Sequence, residues 1–115
     1  MPAAGVSPFL QGTLDLIVLQ LLQAQPTNGY DLTQRIQATT RDVLNINAGS
    51  LYPALYRLER QGLISSEWGE SEARRKAKFY ALTPAGRRQL KAETDSWQRF
   101  ALVVAGVLDA SPEKA

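Results

Sequence analysis

Apolar side chains recur along this 115-residue chain at spacings that predict two helices in its first third. The stretch LDLIVLQLLQAQ is apolar nearly all round, which is typical of a helix buried on more than one side. Gly12 or Thr13 is its expected cap, and Asp15 then lies in the first turn, where an acid is favoured. After the turn PTNGY, with Asn28 as cap, the stretch GYDLTQRIQATT predicts a second helix.

A third helix is predicted over roughly residues 50–60. Asn47 or Ser50 is the expected cap, because both side chains accept hydrogen bonds from helical N–H groups. The core-facing residues recur at i, i+4 and i+7, and they are Leu51, Leu55 and Leu58. Gly62 is placed to end this helix.

The two segments that follow predict a β-hairpin. LISSEWG and AKFYALT read as strands, and the polar turn ESEARRK separates them. Ile64 and Trp68 are the expected apolar anchors of the first strand. Three helices followed by a two-stranded hairpin is the order of elements in a winged helix-turn-helix.

A long helix closes the chain, with Thr83 as cap and Pro84 at its first position. The apolar pattern continues to about Leu108, a length of about 38 Å. We expect a seam for a second subunit, formed by Leu90, Trp97, Phe100, Ala101, Val104, Val107 and Leu108. The alternative is a helix that wraps on the core of its own chain.

These elements predict a fold that is mainly α with a small β-hairpin: a winged helix-turn-helix plus a long C-terminal dimerisation helix. The expected organisation is a flexible N-terminal arm (1–12), the DNA-binding domain (13–82), the dimerisation helix (83–108) and a polar tail (109–115). A chain of this length buries one core.

Composition argues against an enzyme. The chain contains no Cys and no His, which excludes thiolate nucleophiles, imidazole bases, disulfides and almost every zinc site. No Gly-rich phosphate loop is present, so neither a cofactor nor a metal is expected. The start MPAAGVSPFL is unlike a signal peptide, and the longest apolar run is too short for a membrane span. We therefore expect a cytoplasmic protein without a membrane partner.

The outer face of the third helix is the first candidate contact surface. The N-terminal part of a recognition helix enters the major groove of DNA. Here that part offers Asn47, Ser50, Tyr52 and Pro53, with amide and hydroxyl groups that bond phosphates or base edges. Packing on the helix flank is the competing interpretation for Tyr52, and its place in the first turn favours contact. Tyr56 is expected in the core or an interface.

The hairpin turn is the second candidate. Arg74, Arg75, Lys76 and Lys78 lie within five residues, and seven of the 13 basic residues fall between positions 74 and 91. A solvated turn is the simpler interpretation of such a run. At the tip of a wing, however, these cations are placed to meet the minor groove or the phosphate backbone.

The combined motifs resemble those of PadR-type transcriptional regulators. The resemblance rests on NGYDL, on LNINAGSLYPALYRLERQGLISSEW and on SEARRKAKFYALTPAGRRQL, and it covers roughly residues 10–108. It implies a homodimer that binds a palindromic operator in double-stranded DNA, usually as a repressor. Ser50, Tyr52 and Pro53 match the recognition-helix stretch of the family.

Trp97 in the predicted seam is a candidate ligand-binding residue. From the sequence alone, packing is the first interpretation of an aromatic residue within the seam, and stacking of a flat ligand is the second. The resemblance implies that Trp97 stacks a hydrophobic aromatic effector, with Leu14, Ile17 and Val18 as pocket walls. A different class of function is left open: a winged-helix module that senses ligands or binds proteins without binding an operator.

Overall fold

The computed structural model describes residues 8–110, with side chains from residue 12 onward. The elements are helix α1 (Pro8–Ala24), strand β1 (Thr27–Asn28), helix α2 (Gly29–Thr39), helix α3 (Ala48–Arg60), strand β2 (Ile64–Glu70), strand β3 (Lys76–Leu82) and helix α4 (Pro84–Asp109). Four helices with a small antiparallel sheet confirm the predicted fold class.

The core lies between the first three helices and the base of the hairpin. Leu51, Leu55 and Leu58 of α3 are buried as predicted, and they meet apolar residues of α1 and α2. Ile64 anchors β2 in the same cluster. Each fully buried Leu contributes about 1.5–3 kcal/mol through removal of apolar area from water.

Side-chain caps fix where three helices begin. Asn28 Oδ1 accepts a hydrogen bond from the N–H of Asp31 at 2.8 Å, and Thr83 Oγ1 accepts one from Gly86 at 3.0 Å. Asn47 Oδ1 accepts one from the N–H of Ser50 at 3.0 Å. Asn47 is therefore the cap of α3, which begins at Ala48, and Ser50 lies inside its first turn.

The predicted start of the first helix is wrong. Helix α1 begins at Pro8, so residues 8–12 belong to the helix and not to an arm, and Asp15 is not in the first turn. A proline fits an early helical position, because its fixed φ suits the helix and its missing N–H would be unpaired there. Residues 1–7 and 111–115, parts of the expected arm and tail, lie outside the described residues.

The sheet has one strand more than the predicted hairpin. Strand β1 pairs antiparallel with β3, with Thr27 opposite Tyr80 and Asn28 opposite Phe79. The strand order is β1-β3-β2, so the predicted pairing of β2 with β3 is confirmed. Two residues are too few to show alternation, and the sequence PTNGY therefore predicts only a turn.

The base of the hairpin is tied to the start of α4. Gly62, with φ of +77°, ends α3 as predicted and turns the chain into β2. The Thr83 hydroxyl donates to the Gly62 carbonyl at 2.7 Å, and the Thr83 N–H donates to the Leu63 carbonyl at 3.1 Å. Gly86 packs so closely on the Leu63 carbonyl that a Cβ there would overlap it.

Helix α4 extends far beyond the core. Its first two turns are packed in place, with Gly86 and Leu90 buried, and its last two turns are exposed and rich in apolar side chains. The molecule is accordingly elongated, with extents of 61 × 33 × 23 Å. Within residues 8–110, no helix combines the length and apolar character needed to cross a membrane.

Candidate nucleic-acid interface

The first turns of α3 present polar and aromatic groups at the protein surface. Tyr52 is 45% exposed, Pro53 is exposed and Ser50 is half-buried. The amide oxygen of Asn47 is already engaged as the helix cap, so its amide NH₂ is the group left to donate to a partner. The predicted contact residues therefore share one surface, with Asn47 in a partly structural role.

Tyr52 packs against the start of α2. Its ring lies against Gly29 at the start of α2. Burial raises the pKa of Tyr80 in β3, and the charges of Tyr52 and Glu59 add to the increase. Tyr52 is thus oriented by its packing on α2, while almost half of its surface faces solvent.

A polar groove that was not predicted from the sequence separates α2 from the start of α3. It encloses about 340 Å³ and includes Asn45, Asn47 and Tyr52 in its lining. Helix α2 contributes residues spaced at i, i+3, i+4 and i+7, which are Tyr30, Thr33, Gln34 and Gln37. That spacing, on the face opposite the buried Leu32 and Ile36, is a signal in the sequence that could have identified this surface.

The second half of α3 is also exposed on its outer side. Tyr56 is 65% exposed, so it does not belong to the core, and of the two expectations only a place in an interface stays open. The guanidinium of Arg60 lies 5.7 Å from the centre of the Tyr56 ring, which is cation–π distance. Tyr56 follows Tyr52 by four residues, and the two rings therefore occupy adjacent turns of the helix.

The basic residues of the wing occupy its tip and the outer half of β3. The loop 71–75 is closed by a hydrogen bond from the Ser71 N–H to the Arg75 carbonyl at 2.9 Å, and Arg74 adopts a φ of 60°. Arg74, Arg75 and Lys76 are exposed, and Lys78 is half-buried. Among residues 12–110, none of these four cations has a carboxylate within ion-pair distance. Their charges are therefore available to an anion.

Trp68 is not the buried anchor that the strand pattern predicts. It is 60% exposed, whereas Ile64 on the same strand is buried. The helical layer covers the base of the hairpin and reaches Ser66, whose hydroxyl donates to Glu59 Oε2 at 2.7 Å. Trp68 lies two residue pairs further out, beyond that layer.

A charged pair links α1 to α3. Arg57 Nη2 donates to Asp15 Oδ1 at 2.6 Å. Burial raises the pKa of Asp15 and nearby Glu93 adds to the increase, while the hydrogen bond and charge of Arg57 oppose it. Asp15 therefore connects α1 to α3 through Arg57, with Glu93 of α4 close by.

Trp97 lines an apolar groove between α1 and α4, with a volume of about 300 Å³. Ile17 is a wall of this groove, as expected. Leu14 and Val18 are not, because both are buried in the core of the chain. The α1 residues that line the groove beside Ile17 are Leu16, Gln20 and Leu21.

The structure removes one residue, Leu90, from the subunit seam that was expected along α4. Leu90 is 4% exposed within the single chain, so it packs on the chain's own core and offers almost no surface to a partner. The remaining seam residues are exposed or half-buried, and they are Trp97, Phe100, Ala101, Val104, Val107 and Leu108. An apolar patch of this kind is rare on a monomeric protein.

Comparison with known proteins adds independent information. The model of the Transcriptional regulator PadR-like family matches residues 18–92. A transcriptional regulator of Mycobacterium tuberculosis is 32% identical over 98 residues, which cover 85% of this chain and 88% of that protein.

Solved structures agree with this match. A transcriptional regulator from Clostridium thermocellum is 30% identical with a TM-score of 0.79, and the match covers 87% of this chain and 97% of that one. A PadR family transcriptional regulator from Eggerthella lenta is 33% identical with a TM-score of 0.77, and the match covers 88% of this chain and 86% of that one.

Proposed function

Since the chain belongs to the PadR-like family of transcriptional regulators, we propose that it is a homodimeric repressor that binds a palindromic operator. In this proposal α3 enters the major groove and the wing contacts the adjacent backbone or minor groove. Members of the family are regulators and not enzymes, which agrees with the absence of Cys and His.

The observation that carries the proposal is the attachment of the wing along the flank of α3. Ser66 of β2 is hydrogen-bonded to Glu59, and Tyr80 of β3 lies near both Tyr52 and Glu59. The hairpin that carries the wing cations is therefore attached to the helix that carries the polar contact groups. Such a surface combines groups suited to base edges with cations suited to phosphates.

Dimerisation is proposed through the exposed half of α4. The seam residues defined above lie on a part of the helix that the chain's own core does not cover, and burial of such area drives association. Two copies would present two α3 helices to half-sites one helical turn apart, about 34–36 Å.

Release from DNA is proposed to follow binding of a flat aromatic effector at Trp97. The groove of Trp97 is apolar and lies between α1 and the part of α4 that is proposed to dimerise. A second subunit would deepen it into a closed site, and indole rings stack well on flat aromatic compounds.

The test is a fluorescence anisotropy titration with the DNA upstream of the chain's own gene, run against random DNA of equal length at several salt concentrations. We expect tighter binding to the upstream DNA, with an affinity that falls steeply as salt rises. Equal affinity for both DNAs, or no salt-dependent binding, would refute operator recognition and favour a protein-binding role for the winged fold.

A further inference from the structure

The outer half of the hairpin exposes an indole where the strand pattern predicts a buried one. The register pairs Ile64 with Leu82, Ser66 with Tyr80 and Trp68 with Lys78. Residues directly opposite each other in an antiparallel pair share a face of the sheet. Trp68 and Lys78 therefore continue, beyond the helical layer, the face whose inner part packs on α3.

Two lysines converge on this indole. Lys78 Nζ lies 5.9 Å from the Trp68 ring centre, and Lys76 Nζ, two pairs further toward the tip, lies 5.2 Å from it. Both distances fall within the range of cation–π attraction, which favours ammonium groups that stay beside the ring. The result is a flat apolar surface with two positive charges at its margin.

Among the described hairpin residues, this face carries one acid, Glu70, which is paired with Lys76 in the register. Glu67 neighbours Trp68 in sequence but points to the other face, since successive side chains of a strand alternate. A binding partner that fits the Trp68 indole and its two lysines must carry anionic groups and apolar groups in close alternation. The sugar–phosphate backbone of DNA has this character.

We propose that Trp68 is a DNA-contacting residue, with its indole packed on a deoxyribose of the backbone while Lys76 and Lys78 bind the flanking phosphates. The proposal rests on the DNA binding proposed above and adds a contact that neither the basic run nor the start of α3 supplies. Bases of duplex DNA are stacked on one another, so the sugar is the apolar group that the wing meets without distorting the duplex.

Substitutions at two positions, Trp68 and Lys78, distinguish the contribution of the ring from that of the charges. Trp68→Leu removes the aromatic plate and keeps both lysines, so we expect the affinity for upstream DNA to fall about ten-fold. The slope of log affinity against log salt should stay unchanged, because no phosphate contact is removed. Trp68→Phe should restore most of the affinity, and Lys78→Gln should lower the salt slope by about 0.9.

A second measurement uses the natural sequence. The chain has two tryptophans, and protein labelled with 5-fluorotryptophan should give two fluorine NMR resonances, which Trp68→Phe assigns. We expect the Trp68 resonance to shift at saturating DNA. A resonance that does not move, or wild-type affinity in a folded Trp68→Leu variant, would overturn the contact while leaving the proposed function intact. Failure of the wild-type protein to bind DNA would overturn both the Trp68 contact and the proposed function.

Discussion

The ring of Tyr52 in α3 lies directly on Gly29, the first residue of α2, and a Cβ atom at Gly29 would stand 2.6 Å from Tyr52 Cζ. Two carbons cannot approach so closely, and the tyrosine ring is the part able to move. The absence of a side chain at position 29 therefore determines which way the Tyr52 ring points from α3.

Replacement Gly29→Ala should turn the Tyr52 ring away from α2 and lower the affinity for upstream DNA by several-fold. The free energy of unfolding should change by less than about 1 kcal/mol, because alanine favours the helix while the ring is displaced. Anisotropy titration and urea unfolding measure the two effects. Gly12→Ala is the matched control, since a Cβ there has no neighbour within 4 Å. Unchanged DNA affinity would show that the position of Tyr52 is unimportant.

Removal of Arg57 should make the stability of the fold more sensitive to pH. The pKa of Asp15 is already raised from 3.8 by burial, and Arg57 limits the increase. Arg57→Met should therefore raise this pKa further, as a carboxyl NMR titration would show. Because the native state then holds the Asp15 proton more tightly, stability from this group is fully present below pH 3.8 and is lost as pH rises through the folded pKa.

The cost of Arg57→Met should accordingly be small below pH 3.8 and reach about 1 kcal/mol near neutral pH, where Asp15 is ionised and lacks its partner. Urea unfolding at pH values on both sides of 3.8 measures the difference. Arg60→Met is the control, because Arg60 lies in the last turn of α3 like Arg57. Arg60 stacks on Tyr56 and has no acidic partner within residues 12–110. An equal cost at both pH values would contradict the role of Asp15.

Neutralisation of the wing should weaken binding to every DNA sequence alike. The variant Arg74→Gln, Arg75→Gln, Lys76→Gln removes three exposed cations. The slope of log affinity against log salt should fall by about 0.9 for each phosphate that the wing no longer neutralises. Arg99→Gln, on α4 and outside every proposed contact set, serves as the control. A slope that the triple variant leaves unaltered would mean that the wing does not touch DNA.

A charge in the α4 seam should separate the subunits and leave each fold intact. Val104 is partly exposed in the single chain and stands near the middle of the seam. Val104→Glu should convert the dimer into a monomer in analytical ultracentrifugation, because the buried carboxylate would lack a partner. Arg99→Gln changes the net charge by the same amount and should stay dimeric. A Val104→Glu protein that remains a dimer would place the interface elsewhere.

The sequence predicts those elements whose signal is local and repeated. The structure confirms the leucines of α3, the caps Asn28 and Thr83 and the stop at Gly62, whose signals each lie within about two turns of helix. Strand β1 has no such signal, since its two residues become a strand only when β3 lies beside them.

The errors concern residues whose surroundings depend on distant elements. Alternation places Trp68 on the inner face of β2, but the helices end before they reach it. Leu90 repeats with Trp97 and Val104 every seven residues, although the core of the chain covers the first of them and leaves the other two exposed. Periodicity identifies a face and does not say which neighbour covers it.

Leu63 and Thr83 join the end of α3 to the start of α4 through hydrogen bonds and the close approach of Gly86. A joint so tightly packed has little freedom to bend. In a dimer built through α4, any change in the crossing angle of the two long helices would therefore be carried as a lever motion to the two α3 helices. The separation of DNA half-sites that the protein accepts would then be determined by α4, a helix that need not touch the DNA.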